Sequence, residues 1–366
     1  METTEKNLQI GIIGAGDILR QYLKTFDAVP SVHIAAMATA HLERAQAAAA
    51  GRDTQVCTVD DLLADKTIDL VVNLTPPPVH AQLNGDAIAA GKHVYSEKPL
   101  AATPEQADAL LAAAADAGVT VGCAPDTFLG TGLQTTARAL ADGMIGEPFA
   151  ATAIWGGSGP EPWHPNPQFF YEAGGGPVLD MGPYYVTALV AHLGPVAAVH
   201  ACSRTTNRAR VVGSGPLKGT ALHVDVPTYA TAILEHASGV LSTVSLSFET
   251  FAGMAGLEIY GTGGTLRLPD PNMFDLRGSV ALADDPSLWR ELEPSGGYAD
   301  LGRGVGAVEL WAAVRAGRTP RASGAMAAHV THVLAAINAG GDTSIDSQFA
   351  VPALVPLGDD PTKTSE

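Results

Sequence analysis

Apolar positions fall into two regimes along the chain. Up to about residue 125, strand-length apolar runs alternate with stretches whose apolar residues recur at helical spacing. LQIGIIG (8–14), VHIAAMA (32–38), IDLVVNLT (68–75), KHVYSEK (92–98) and VTVGCAP (119–125) are the strands. Between them lie the helices DILRQYLKTF, with Ile18, Tyr22 and Phe26 in helical register, LERAQAAAA, AQLNGDAIAAG and PEQADALLAAAADAG. Strands alternating with helices predict βαβ units, hence a doubly wound parallel sheet covered on both faces.

Beyond residue 125 the period changes. TGLQTTARALADGMIG is one further helix, stopped at Gly143 and Gly146. Then PFAATAIWG, VAAVHACSR, TYATAILEHA, GVLSTVSLSFE and GLEIYGTGGTLRL follow as strands, with EHASGV and GTGG as hairpin turns. Consecutive hairpins predict a mainly antiparallel sheet with one face open, suited to oligomer contacts. Residues 300–340 return to helix. The expected division is a dinucleotide-binding domain over 1–125, a substrate and oligomerisation domain over 126–345 with the 300–340 helices packing back, and a tail over 346–366. The ends METTEK and DDPTKTSE are expected to be disordered.

Composition narrows the function classes. The 366 residues are 46% hydrophobic and 16% charged, as in a well-buried globular enzyme. A net charge of −17 repels nucleic-acid and anionic lipid surfaces, so neither is an expected partner. Cys57, Cys123 and Cys202 lie far apart with no CxxC spacing, which suggests neither a disulfide framework nor a metal site. The N-terminal stretch lacks a signal-peptide pattern, and no apolar run reaches the ~20 residues of a membrane span. A cytoplasmic location is the expectation.

Candidate chemistry sits where strands end. GIIGAGDIL (11–19) joins strand to helix; Gly14 and Gly16 let the backbone approach a pyrophosphate, with Asp17 and Ile18 opening the helix beside it. The third glycine of the dinucleotide fingerprint is replaced by Leu19. At the end of the second strand no carboxylate precedes Glu43; Thr39 stands there, and Arg44 is either a 2′-phosphate ligand or a solvated helix residue. The absence of a serine–arginine pair favours NAD over NADP. NLTPPPVHAQ (73–82) ends another strand on Thr75, Pro76 and a rigid turn; His80 is either a helix-start residue or a ligand contact. The strand HVYS runs into Glu97-Lys98-Pro99. GGGPVLDMGPYY (174–185) places Asp180 and Tyr184 four apart, on one face of a helix. WHPNPQFFY (163–171) offers His164 and Asn166 to hydroxyl groups, as a lid or as a packed loop. SRTTNRAR (203–210) is a basic run, read as solvated or as a seat for an anionic group. His329 and His332 lie on an apolar helix face, where packing accounts for them.

Together the GxG strand end, the TPPxxH turn, the Glu-Lys-Pro strand end and the GGGxxxDxGxxY segment resemble the Gfo/Idh/MocA family of glucose–fructose oxidoreductase and inositol dehydrogenase, over nearly the whole chain. The resemblance implies a Rossmann domain followed by an α/β domain with a large open sheet, through which members associate as dimers or tetramers. It implies NAD or NADP as cofactor and a sugar, polyol or glycoside as substrate. Lys98 then corresponds to the catalytic lysine and Asp180 to the catalytic aspartate. Tyr184 stands where many members carry histidine; a tyrosine, ordinarily near ~10, serves as a base only if a neighbouring ammonium favours its phenolate. Two further functions stay open: a redox-neutral glycosidase using the same hydride chemistry, and a non-catalytic dinucleotide sensor.

Overall fold

The structure is a computed structural model, and it describes residues 7–206 and 208–363. The expected disorder of METTEK, and of the last three residues of the tail, falls outside that range. The described residues divide into two compact units: those up to 130, those from 297 to 328 and those from 355 onward form the first, and those from 131 to 296 and from 329 to 354 the second.

The first unit holds β1 (Leu8–Ile13), β2 (Val32–Ala38), β3 (Gln55–Cys57), β4 (Leu70–Asn73), β5 (His93–Ser96) and β6 (Val121–Cys123). They form a parallel sheet in the order β3-β2-β1-β4-β5-β6. All four residues of β4 are buried, because helices cover both faces. The helices are α1 (Leu19–Ala28), α2 (Leu42–Ala49), α3 (Val59–Ala64), α4 (His80–Ala89) and α5 (Pro104–Ala117). Helix α5 shows its signals plainly. Thr103 caps it by accepting the Gln106 N–H, Pro104 opens it, and Gly118 (φ 66°) closes it. The strand order reverses between β1 and β4, so the ligand crevice of this fold lies at their carboxyl ends.

The second unit contains α6 (Thr131–Ala141), β7 (Pro148–Gly156), α7 (Gly176–Asp180), α8 (Gly182–Leu193), β8 (Val196–Arg204), β9 (Tyr229–His236), β10 (Leu241–Ser247), β11 (Met254–Gly261), β12 (Gly264–Arg267), β13 (Ser279–Leu282) and β14 (Asp285–Glu291). The helices α9 (Val305–Ala316), in the first unit, and α10 (Gly324–Ala339) precede β15 (Gly341–Ser344). Nine strands run in the order β14-β13-β12-β11-β7-β10-β9-β8-β15. The two anticipated hairpins are present, β9–β10 and β11–β12. The β7–β10 pair is parallel, a departure from the run of hairpins at the centre of the sheet. Strand β9 alternates buried and exposed residues along its length, as expected for a sheet with one face uncovered.

The sequence pattern misses β3, β13, β14 and β15. Strand β3 has three residues and β15 is exposed throughout, so neither writes a hydrophobic period. Near the carboxyl end, Asp359–Lys363 forms turns in which the Lys363 N–H donates to Asp360 O at 3.1 Å.

Candidate active site

The glycine turn after β1 is built by close approach. Gly14 has φ +103°, and a Cβ there would stand 2.7 Å from the Leu74 carbonyl carbon. Only glycine therefore lets the ends of β1 and β4 meet. The Gly14 N–H donates to Ala38 O at 2.8 Å, which ties the same turn to the end of β2. Gly16 faces open space instead, where a Cβ would meet no atom within 4 Å. A cavity of about 390 Å³ opens beside it, lined by Ala15, Gly16, Asp17, Leu19, Arg20, Leu23, Arg44 and Ala48. A backbone without side chains over an open cavity suits a pyrophosphate-bearing dinucleotide, so the residues present fit that cofactor.

The ends of β4 and β5 are joined by buried amides. Asn73 is fully buried; its Oδ1 accepts the Thr75 hydroxyl at 2.6 Å, and its Nδ2 donates to Asn84 Oδ1 at 2.8 Å. Asn84 Nδ2 in turn donates to Ser96 Oγ at 3.1 Å and Leu100 O at 3.3 Å. His80, also fully buried, lies 2.7 Å from both Pro99 O and Thr75 O through its two ring nitrogens. Its place is thus between two backbone segments, bridging the proline turn to the segment that carries Lys98.

Glu97 is almost wholly enclosed. Its Oε1 accepts the Tyr22 hydroxyl at 2.8 Å and its Oε2 the Lys98 N–H at 3.0 Å. Burial, with Glu97 beside it, holds the Tyr22 phenol protonated far above the ordinary tyrosine range. The carboxylate therefore orients the backbone at Lys98 while the Lys98 side chain, half-buried, leaves the end of β5. The Lys98–Pro99 and Ala124–Pro125 peptides are cis. Beyond β6, Asp126 Oδ2 accepts the Gly304 and Gly306 N–H groups at 2.8 and 3.0 Å, and burial raises its carboxyl above the usual carboxylate value.

The second unit carries the other candidates. Asp180 and Tyr184 do not share one helix as their spacing predicts. Helix α7 ends at Asp180, Met181 turns the chain, and α8 begins at Gly182. Pro183 explains the break: it has no N–H for Leu179 O and its ring crowds that carbonyl. Gly176 (φ +86°) would bring a Cβ to 2.9 Å from Pro227 O, so this glycine serves packing. Tyr184 is 7% exposed and Asp180 half-buried. His164 Nδ1 accepts the Asn166 N–H at 3.1 Å, among the rings of Trp163, Phe169 and Phe170. Trp163 and Phe169 stay largely uncovered, at 65% and 50%.

The last arginine of the basic run departs from both readings given to it, while Arg204 is exposed. Arg210 is neither solvated nor open to an anion: it is 3% exposed, with Nη1 on Glu161 and the Tyr171 hydroxyl and Nη2 on Phe248 O and Glu249. Asn207 of that run lies outside the described residues. His329 is fully buried, accepts the Val196 N–H at 2.9 Å, and is pushed by burial down to about 4.

Thus the first unit brings Gly14, Gly16, Asp17, Ile18, Thr39, Arg44, Thr75, Pro76, His80, Glu97 and Lys98 to the carboxyl side of one parallel sheet. The second holds Asp180 and Tyr184 at a helix junction, with His164 and Asn166 in a separate loop. Sequence reasoning misses Asn73, Asn84, Tyr22 and Asp126 as supports of the site. An amide at the end of an otherwise apolar strand, in LVVN, is the signal available for Asn73. Among the described residues, no group of three His, Cys, Asp or Glu side chains is placed to hold a metal, and no helix is long and apolar enough to cross a membrane.

Comparison with known proteins agrees with this architecture. A 1,5-anhydro-D-fructose reductase from Ensifer adhaerens is 29% identical over 263 residues, 70% of this chain and 74% of that protein. A dTDP-3,4-didehydro-2,6-dideoxy-alpha-D-glucose 3-reductase from Streptomyces antibioticus is 30% identical over 266 residues, 71% of this chain and 75% of its own. A solved structure of levoglucosan dehydrogenase, in complex with NADH and levoglucosan, shares the fold with a TM-score of 0.77 at 20% identity, over 93% of this chain and 99% of that one. Residues 8–124 match the oxidoreductase family with an NAD-binding Rossmann fold, and residues 133–267 match the GFO/IDH/MocA C-terminal domain. With both halves matched in order, the chain belongs to the Gfo/Idh/MocA family of oxidoreductases.

Proposed function

We propose that the protein transfers a hydride between a carbinol carbon of a sugar, polyol or glycoside and a nicotinamide dinucleotide. The observation that carries this reading is the mounting of Lys98. The lysine follows a mostly buried strand, its backbone N–H is held by Glu97, and the next residue is pinned through Pro99 O by His80. A loop lysine with no task has no need of three supports. The carbohydrate class rests on the named activities of the relatives, two of which are reductases of sugar derivatives.

The bound nicotinamide supplies the hydride acceptor or donor. Lys98 hydrogen-bonds the reacting oxygen and stabilises the alkoxide that develops as the hydride leaves. Asp180 orients the substrate, and Tyr184 takes or returns the hydroxyl proton. The open face of the second sheet is the surface through which copies associate as dimers or tetramers. The cytoplasm is the compartment proposed, in keeping with free Cys57, Cys123 and Cys202.

The test is a panel of free sugars, polyols and glycosides incubated with oxidised dinucleotide, with reduced nicotinamide followed by absorbance and products by NMR. Ketone or lactone formed in equal amount to reduced nicotinamide supports the proposal. Free sugar released without net reduction replaces it with the redox-neutral glycosidase. Saturable dinucleotide binding with no turnover on any member of the panel replaces it with the sensor.

A further inference from the structure

The glycine-turn cavity is lined by two arginines as well as by the glycine turn itself. It lies between facing sides of α1 and α2: Leu19 and Leu23 are one turn apart on α1, and Arg44 and Ala48 one turn apart on α2. Arg20 and Arg44 both line it, and among the described residues neither guanidinium has a hydrogen-bond or ion-pair partner. Carboxylates are plentiful in a chain with 38 acidic and 21 basic residues, yet among the described residues none forms an ion pair with either guanidinium, Asp17 on the same wall included. Two unpaired guanidiniums against one carboxylate leave this cavity of about 390 Å³ net positive in a molecule of net charge −17.

The end of β2 adds the complementary absence. In this fold, a carboxylate there holds the adenosine ribose 2′-OH and repels a 2′-phosphate. Here the positions are Ala38, Thr39, Ala40 and His41, with no acid among them. Thr39 Oγ1 accepts the His41 N–H at 3.3 Å, which leaves its own O–H to donate. The one carboxylate on the cavity wall is Asp17, which belongs to the glycine turn after β1 and not to the β2 end.

We infer that this cavity takes the 2′-phosphate of NADP(H), with Arg44 and Arg20 as its charged partners, so that the enzyme selects NADP(H) over NAD(H). The sequence alone, lacking a serine–arginine pair at the strand end, favours NAD. The fold supplies the cation from a different place: Arg44 sits in the first turn of α2, and Arg20 comes from α1. A 2′-phosphate brings about −1.5 to −2 charges and planar oxygen pairs that guanidinium groups match. The inference rests on the dinucleotide reading above, which it sharpens.

The test is direct binding, independent of turnover. NADPH, NADH and 2′,5′-ADP are titrated into the wild-type protein, Arg44→Ala and Arg20→Ala/Arg44→Ala by calorimetry. Wild type is expected to bind NADPH at least about 10-fold more tightly than NADH, and to bind 2′,5′-ADP. Arg44→Ala should lose about 10-fold in NADPH affinity while its NADH affinity stays within about two-fold; the double variant should lose the preference. NADH bound as tightly as NADPH, or equal losses for both in Arg44→Ala, overturns the 2′-phosphate assignment and leaves the oxidoreductase reading intact. Failure of both dinucleotides to bind overturns the oxidoreductase reading and this inference with it.

Discussion

The two sheets of this chain solve burial differently. In β4 consecutive residues are buried, Val71 at 1% and Val72 at 0% exposure, because helices lie on both sides. In β9 the neighbours Ile233 and Leu234 are 46% and 0% exposed, because one face has no cover. A sheet shut on both faces can present chemistry only at its strand ends, and that is where Gly14, Thr75 and Lys98 stand. A sheet open on one face offers an extended surface instead.

The largest expected effect concerns the strand ends. Lys98→Ala should lower turnover about 10³-fold while leaving dinucleotide Kd within a few-fold, read by steady-state kinetics and calorimetry. Retained turnover would remove the lysine from the chemistry.

Next comes the contrast between the faces. Leu234→Ala should cost about 3 kcal/mol in urea unfolding and Ile233→Ala less than about 0.5. Val71→Ala and Val72→Ala should each cost about 2 kcal/mol. Unequal costs at Val71 and Val72, or equal ones at Ile233 and Leu234, would break the comparison. At the glycine turn, Gly14→Ala forces a positive φ on a residue with a Cβ and crowds Leu74. It should cost about 1–3 kcal/mol in the same unfolding assay, with a matching loss of dinucleotide affinity.

Acid should separate the units further. Above pH 6.5 the His329 imidazole is neutral in the folded and the unfolded chain, so it contributes no pH dependence there. Below 6.5 the unfolded chain binds a proton that the folded protein, with its value near 4, refuses. By pH 5 the second unit should lose about 2 kcal/mol from this residue. Asp126 in the first unit works in the opposite sense: its raised carboxyl value makes the folded state bind the proton first, so acidification through that range favours folding. Tryptophan fluorescence in a Trp311→Phe variant reports the second unit alone, since Trp155, Trp163 and Trp289 all belong to it. Its urea midpoint should fall between pH 7 and 5, and a His329→Gln variant should lessen that fall without abolishing it, because buried His192 in the same unit is also pushed down to about 4.

The smallest effect on stability is at the neighbouring glycine. Gly16→Ala meets no atom of the chain, so its urea midpoint should stay at the wild-type value and its loss should be confined to dinucleotide binding.

Much of this was legible from periodicity. The β1–α1 junction and the hairpins β9–β10 and β11–β12 announce themselves through glycine turns between apolar runs. The parallel β7–β10 pair does not, because register between strands far apart in the chain leaves no local trace. The pairing of Arg210 with Glu161 and Glu249 is invisible for the same reason: a basic run looks alike in sequence whether water or carboxylates receive it. The spacing of Asp180 and Tyr184 suggests one helix because period alone does not register the amide that Pro183 lacks.

The most direct measurement follows the hydride itself. A carbohydrate substrate found in the panel, deuterated at the carbon to be oxidised, is turned over with oxidised dinucleotide, and the nicotinamide is examined by NMR. Deuterium is expected at C4 of the reduced ring, on one face, in amount equal to ketone formed, with the signal abolished in Lys98→Ala. Deuterium found in solvent, or retained in released sugar with no reduced nicotinamide accumulating, would contradict that expectation.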